Sequence, residues 1–345
     1  MQASSQRTWQ VRLALMLIIG VAAAAACVVA LMLWKAPVAS AQDEGGDPTG
    51  ANFVVSCGFT GIEKRAAVDP IVDPGNPTSF HLHDFFGNTT TNENSTLQSL
   101  RDAASQPDHG TTCEPKPGNT FGDTAAYWIP TVSWAPTRGK PKTLQASKTF
   151  FYYRAGLKDP ASVKPFPAYD VDSDGDVDGL KIVTVQGKNV EWRCQGGTFS
   201  PTPPTRCGDN ATLVVRIFFP DCLAVANDEQ GQPILDHPLT DTADDPARFP
   251  TNDHRSHMVA AGSAGCPTTH PYPVPRLQTN FLFKDTILTK KGQPTLSSDH
   301  QGDPPGSTMH ADYFNAWQEG TLEDLVKRCI NDAPFTAGSK PIDCQ

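Results

Sequence analysis

The chain carries nine histidines, and two groups of them are spaced to act together. His81 and His83 flank Leu82 and are followed by Asp84. In extended backbone, alternate side chains leave the same side, so both imidazoles would reach one ligand or one reacting group. The segment Asp253-His254-Arg255-Ser256-His257 is the second group. Its spacing of three brings two rings together on a helical turn or a tight loop. Near the C-terminal end, His310-Ala311-Asp312 again sets an imidazole beside a carboxylate. Imidazole titrates near neutral pH and so suits proton transfer. Its neutral form ligates zinc, copper, nickel or iron, and a neighbouring carboxylate fixes its tautomer. His81, His83, Asp84, Asp253, His254, His257, His310 and Asp312 are therefore the candidate catalytic residues, with or without a transition metal. His109, His237, His270 and His300 read as surface or hydrogen-bonded core groups. There is no His-Glu-x-x-His string and no Gly-x-Ser-x-Gly elbow, so a zincin and a serine hydrolase are both unsupported.

A second chemistry is written at 170–178, where Asp170, Asp172, Asp174, Asp176 and Asp178 alternate around Gly175. This is the ligand spacing of the first nine positions of a calcium loop, with the glycine that permits its sharp turn. Lys181 stands where that loop carries its bidentate glutamate, and no pair of helices frames it. The expectation is a solitary calcium loop that stiffens the chain. Arg255 and Arg276 are candidates for holding an anionic or sugar substrate. Trp128, Tyr127, Trp134, Tyr152 and Tyr153 offer either a stacking platform or core; aromatics in strands are more often core.

These residues must be positioned by short elements. Ala126–Ser133, Lys148–Arg154, Leu180–Val185, Asn189–Cys194, Thr212–Phe219 and Thr279–Phe283 are rich in β-branched and aromatic residues and bounded by Gly, Pro or Asp. No long helical pattern alternates with them, which argues against a parallel βαβ sheet. The expected fold is mainly β, an antiparallel sandwich-like domain with long disulfide-tied loops and one C-terminal helix. In that helix Leu322, Leu325, Val326, Cys329 and Ile330 form a stripe, with Thr321 as its cap and Asp324 three residues on. Of nine cysteines, Cys27 lies in an apolar run and the other eight are widely spaced, which reads as four disulfides. Cys194–Cys207 and Cys329–Cys344 are the expected local pairs, each closing a short loop.

The apolar run is Leu13–Trp34, without a charge and preceded by Arg7 and Arg12. It is long enough to span a bilayer, which takes about 20 residues, and the basic flank puts the N-terminus in the cytoplasm. Ala39-Ser40-Ala41 is a small-x-small cleavage pattern, so an uncleaved anchor and a cleaved signal both fit. The expected organisation is a cytoplasmic 1–12, the apolar 13–34, a stem at 35–50 and a single exported domain at 51–345. Four disulfides agree with an oxidising compartment. The formal charge of −9 argues against nucleic-acid binding, which needs a basic face. Sequons occur at Asn88, Asn94 and Asn210.

Several strings recur in order: Val68-Asp69-Pro70-Ile71-Val72, His81-Leu82-His83-Asp84-Phe85-Phe86-Gly87-Asn88, Tyr127-Trp128-Ile129-Pro130-Thr131, Phe219-Pro220-Asp221-Cys222, Asp253-His254-Arg255-Ser256-His257-Met258 and His310-Ala311-Asp312-Tyr313-Phe314-Asn315-Ala316-Trp317. Together they resemble the DUF1996 family of exported proteins over roughly residues 66–330. The family's His-x-His segment matches His81 and His83, its Asp-His-x-Ser-His segment matches Asp253, His254, Ser256 and His257, and its last block matches His310, Asp312 and Trp317. Leu223 departs from a position where the family often has Trp, and the acidic repeat at 170–178 falls where relatives usually lack one. Carbohydrate-binding WSC modules on fungal relatives imply an association with walls or polysaccharides. The expected function is a His/Asp-dependent hydrolase or lyase acting on a cell-wall or extracellular polysaccharide. The alternative is a non-catalytic wall, glycan-binding or metal-binding domain.

Overall fold

The computed structural model describes residues 50–58, 65–114, 122–167, 170–171, 177–178, 180–184, 186–209, 211–227, 230–231, 233–238, 257–335 and 344. Two five-stranded antiparallel sheets dominate it. The first runs in the order Asn52–Cys57, Ala146–Arg154, Arg276–Lys284, Thr212–Phe218, Val190–Cys194. The second runs Lys181–Val183, Asp312–Phe314, Ala126–Pro130, His83–Gly87, Arg65–Ala66. Smaller ladders join Val132–Pro136 to Gly292–Leu296 and Cys222–Leu223 to its neighbours Met258–Val259 and Tyr272–Pro273. The described residues all fall within one compact unit, Asp47–Gln345.

The two large sheets pack face to face. In Asn52–Cys57, side chains alternate between half-buried and buried, which turns Phe53, Val55 and Cys57 inward. From the second sheet, Tyr127 stacks on Phe151 with ring centroids 3.8 Å apart, and Phe86 lies 5.0 Å from Phe281. Phe53 stacks on Tyr153 at 4.6 Å. The strands Ala126–Pro130 and His83–Gly87 are buried on both faces. A continuous apolar run such as Ala-Tyr-Trp-Ile-Pro is what a doubly covered strand requires. The second covering layer is the helix Leu97–Asp102 with the loop at 68–71. Leu97, Leu100, Val68 and Ile71 close over Phe85, Ala126, Trp128 and Phe314.

The mainly antiparallel β architecture with disulfide-linked loops and a C-terminal helix agrees with the sequence. Its details differ in three places. Ala126–Ser133 is split, one strand ending at Pro130 and the next starting at Val132. The helix Leu97–Asp102, with its Thr96–Ser99 capping box, has six residues, too few to show a hydrophobic period. The C-terminal helix spans Thr321–Val326 and continues as a π turn over Lys327–Asn331. Its cap is Gly320 at φ 78°, not Thr321, which is the first helical residue. The Thr321 side chain lies against Gly122, where an added Cβ would come within 2.4 Å of it.

Disulfides join Cys194 to Cys207 and Cys329 to Cys344 as expected, and Cys57 to Cys113 and Cys222 to Cys266. Tyr127, Trp128, Trp134, Tyr152 and Tyr153 are all buried, so they are core and not a sugar platform. Asn88 is fully buried and its amide donates to the Leu100 and Thr124 carbonyls, which closes that sequon in the folded domain. Asn94 is exposed, and Asn210 lies outside the described residues. No helix among the described residues is long and apolar enough to cross a membrane, and Leu13–Trp34 lies outside them.

Candidate metal centre

The second sheet sets the candidate residues by its register. His83 begins a strand in which Phe85 pairs with Trp128, and Trp128 pairs in turn with Asp312. Directly paired residues of an antiparallel sheet project to one face, as do residues two apart on a strand. His83, Phe85, Trp128 and Asp312 therefore share the face covered by the 97–102 helix. His310 precedes Asp312 by two residues, and His81 precedes His83 by two. The four converge. His81, His83 and His310 each offer a ligand atom within 4.8 Å of the others. So do Asp69, His83 and Asp312. The ring centroids of His81 and His83 are 4.3 Å apart, and that of His310 lies 5.2 Å and 5.9 Å from them.

The hydrogen bonds fix how these rings are presented. His83 Nδ1 donates to the Val68 carbonyl at 2.9 Å, and His310 Nδ1 donates to the Thr308 carbonyl at 2.8 Å. A carbonyl cannot donate, so each Nδ1 carries the proton and each Nε2 presents a lone pair. His83 Nε2 is buried with no hydrogen-bond partner, as is His81 Nε2. His310 Nε2 stands 3.8 Å from Asp312 Oδ2. Burial holds all three rings in the neutral form. It pushes His83 well below the usual imidazole range, where His81 and His310 reinforce it, and pushes His310 down to about 4. His81 is half-buried and shifted the same way, first by burial and then by His300. Asp69 accepts from the Ile71 and Val72 amides through Oδ1, and burial raises its pKa. The three imidazoles form one group, and Asp69 and Asp312 form a second with His83, the residue the two groups share; such donors suit a divalent transition ion, and the group could hold one. The two backbone carbonyls orient the rings, as outer partners of metal-bound histidines do.

The other candidates part company here. Asp84 follows His83 and so points to the opposite face. There it is fully buried, bound by Arg65 at 2.5 Å and by the Thr131 hydroxyl at 2.7 Å. It is a structural anchor of the core and is not placed with the histidines. His257 is paired with His270, Nδ1 to Nε2 at 2.6 Å, and is not part of the His81–His83–His310 group. Asp253 and His254 lie outside the described residues, as do Asp172, Asp174 and Asp176. The backbone of Asp170 pairs with that of Asp178 in a short antiparallel ladder. Cys57, Cys113 and Asp123 also lie close together, but the two cysteines form a disulfide and offer no thiolate. Sequence reasoning missed Asp69. Its type and its place before Pro70 carried no signal, because an irregular loop brings it in.

The chain matches the family described as a domain of unknown function, DUF1996, over residues 69–317. No curated protein and no solved structure matches it.

Proposed function

The chain belongs to the DUF1996 family, and on that premise we propose that it is an exported metalloprotein whose His81–His83–His310 centre, with Asp312 and Asp69, performs metal-assisted hydrolysis of an extracellular polymer. One observation carries the reading. Two buried imidazoles have Nδ1 tied to main-chain carbonyls, which leaves their neutral Nε2 lone pairs available in a cluster where His81, His83 and His310 each offer a ligand atom within 4.8 Å of the others. Lone pairs without donors are costly when buried, and a cation is the partner that satisfies them all. A bound divalent ion would lower the pKa of its water and supply hydroxide at neutral pH. His81, the most exposed of the three rings, marks the side from which water and substrate reach the ion. Export is supported by the apolar Leu13–Trp34 run and by the disulfides. A wall polysaccharide is the proposed substrate class, and the 170–178 repeat is proposed as a separate calcium loop.

Burial of His83 and His310 favours a second reading, a non-catalytic metal-binding domain. Metal titration with zinc(II) and copper(II), followed by thermal melting, tests the shared premise. An ion at 100 times its Kd should stabilise the fold by about 2.7 kcal/mol. His83→Ala should abolish that shift. A wild-type melt indifferent to both ions removes the metal reading. Release of reducing ends from wall glycan by the loaded protein, lost in the same variant, separates hydrolase from binder. Calcium added back after EGTA reports on the acidic loop, whose shift should survive His83→Ala.

A further inference from the structure

We infer that the Trp128 indole is a positioning residue of the same centre, whose N–H holds the Asp69 carboxylate against the bound ion; the inference rests on the metal reading above. The sheet register places the ring. Trp128 pairs directly with Asp312 on one neighbouring strand and with Phe85 on the other. Directly paired residues set their Cβ atoms about 5 Å apart on one face, so the indole rises beside Asp312. His83 lies two residues before Phe85 and shares that face. The Phe85 and Trp128 ring centroids are 5.4 Å apart. The loop that carries Asp69 lies over the same ring, since Val68 and Ile71 pack in one apolar cluster with Trp128. The indole is therefore enclosed by the three segments that supply Asp69, His83 and Asp312, the donors of one group.

The ring has one polar atom, and that atom is not used elsewhere. Trp128 is fully buried, and its Nε1 has no hydrogen-bond partner among the described residues. An indole nitrogen can only donate, and a buried N–H without an acceptor is costly. Asp69 is the carboxylate that answers it. Its Oδ1 takes the Ile71 amide at 3.0 Å and the Val72 amide at 2.9 Å, which leaves Oδ2 for an ion and one further donor. The indole is near enough to favour the charged form of Asp69, against the larger raising effect of burial. An ion that fixes Oδ2 lets the N–H close on the same oxygen. A carboxylate held from both sides keeps its direction, which is the part that outer partners of metal ligands play. Packing alone would be served by a ring without the nitrogen.

Zinc(II) affinity of the full-length protein, measured by competition titration, tests this in a double-mutant cycle. Trp128→Phe keeps a buried ring and removes the N–H. Asp69→Asn keeps an oxygen for the Ile71 and Val72 amides and sets an NH2 group in place of Oδ2. Trp128→Phe should weaken zinc(II) about 10- to 100-fold in the wild-type background. In the Asp69→Asn background it should cost less than about twofold, because the coupled pair is already broken. A second readout needs no Trp128 variant. With the indole nitrogens isotopically labelled, the Trp128 N–H resonance, assigned through its contact with Phe85, should move downfield when zinc(II) is added to wild type. In Asp69→Asn it should move much less. An unmoved resonance in zinc-loaded wild type, or an equal loss of affinity in both backgrounds, would overturn the inference, because the ring then acts by packing. Unchanged affinity in Trp128→Phe, with binding still abolished by His83→Ala, overturns it too and leaves the metal centre standing. A wild-type protein that binds no zinc(II) overturns this inference, and one that binds neither zinc(II) nor copper(II) overturns the metal reading with it.

Discussion

His83 and Asp84 are neighbours in sequence with opposite surroundings. Strand alternation sends the imidazole to the outer face, among His81, His310 and Asp312. It sends the carboxylate inward, against Arg65 and Thr131. Spacing alone could find the first group, because His-x-His and His-x-Asp are what a strand needs to show two side chains on one side. Adjacency misleads at Asp84 for the same reason, since next residues on a strand never share a face. Asp69 was not legible, because a loop delivers it and loop paths leave no periodic trace. The two roles separate by mutation. Asp84→Ala leaves the Arg65 guanidinium without its buried partner, a change that costs about 3–5 kcal/mol for a fully buried pair. Arg65 is one-fifth exposed, so the lower end applies, about 3 kcal/mol. The urea midpoint should fall accordingly while metal affinity in the folded protein stays at the wild-type value. A large loss of affinity with little loss of stability would return Asp84 to the site.

At the scale of elements, the long strands were legible because each is bounded by turn formers and filled with β-branched or aromatic residues. Thr212–Phe218 was placed to within a residue, and Ala146–Arg154 and Arg276–Lys284 were found but cut short. Both run on through charged or polar residues that the sheet accepts once its partners are present. The two-residue strands, such as Arg65–Ala66, owe their conformation to a neighbour and not to their own sequence. The His83–Gly87 strand ends where the chain must turn back along Ala125. Gly87 has φ 79°, and a Cβ there would stand 2.5 Å from the Ala125 carbonyl oxygen. Positive φ and a backbone clash act together, so Gly87→Ala should cost about 2 kcal/mol or more. Equilibrium urea unfolding checks it. A midpoint equal to wild type would mean that this strand end relaxes freely, and that the register holding His83 opposite Pro130 is less tightly set than the ladder implies.

Across the whole molecule, the two layers are joined by one buried polar chain as well as by apolar packing. Asp123 accepts from the Ala125 amide at 3.0 Å and from the Tyr127 hydroxyl at 2.9 Å. Tyr127, on the second sheet, meets the Tyr153 hydroxyl of the first at 2.5 Å. The Trp317 indole, from the segment before the C-terminal helix, donates to Tyr153 at 3.1 Å. Burial pushes Asp123 up to about 7 from an ordinary value of 3.8, against the lowering effect of its two hydrogen bonds. A carboxyl whose pKa is raised by folding favours the folded state when protonated. Its contribution is complete below pH 4 and is lost as pH rises toward 7, at up to about 1.4 kcal/mol per unit. The buried histidines pull the other way. His310, lowered to about 4, must take up a proton on unfolding below its ordinary 6.5, so its contribution grows over the same range. The measured pH profile of wild type is the sum, and its net slope says little about either group. Asp123→Asn isolates one of them, because the amide stands in for the protonated acid and does not titrate. The stability difference between Asp123→Asn and wild type should therefore shift in favour of the variant by a few kcal/mol from pH 4 to pH 7. A difference that is flat with pH would mean that Asp123 is already ionised in the folded protein and that its partners, not its protonation, stabilise the junction of the sheets.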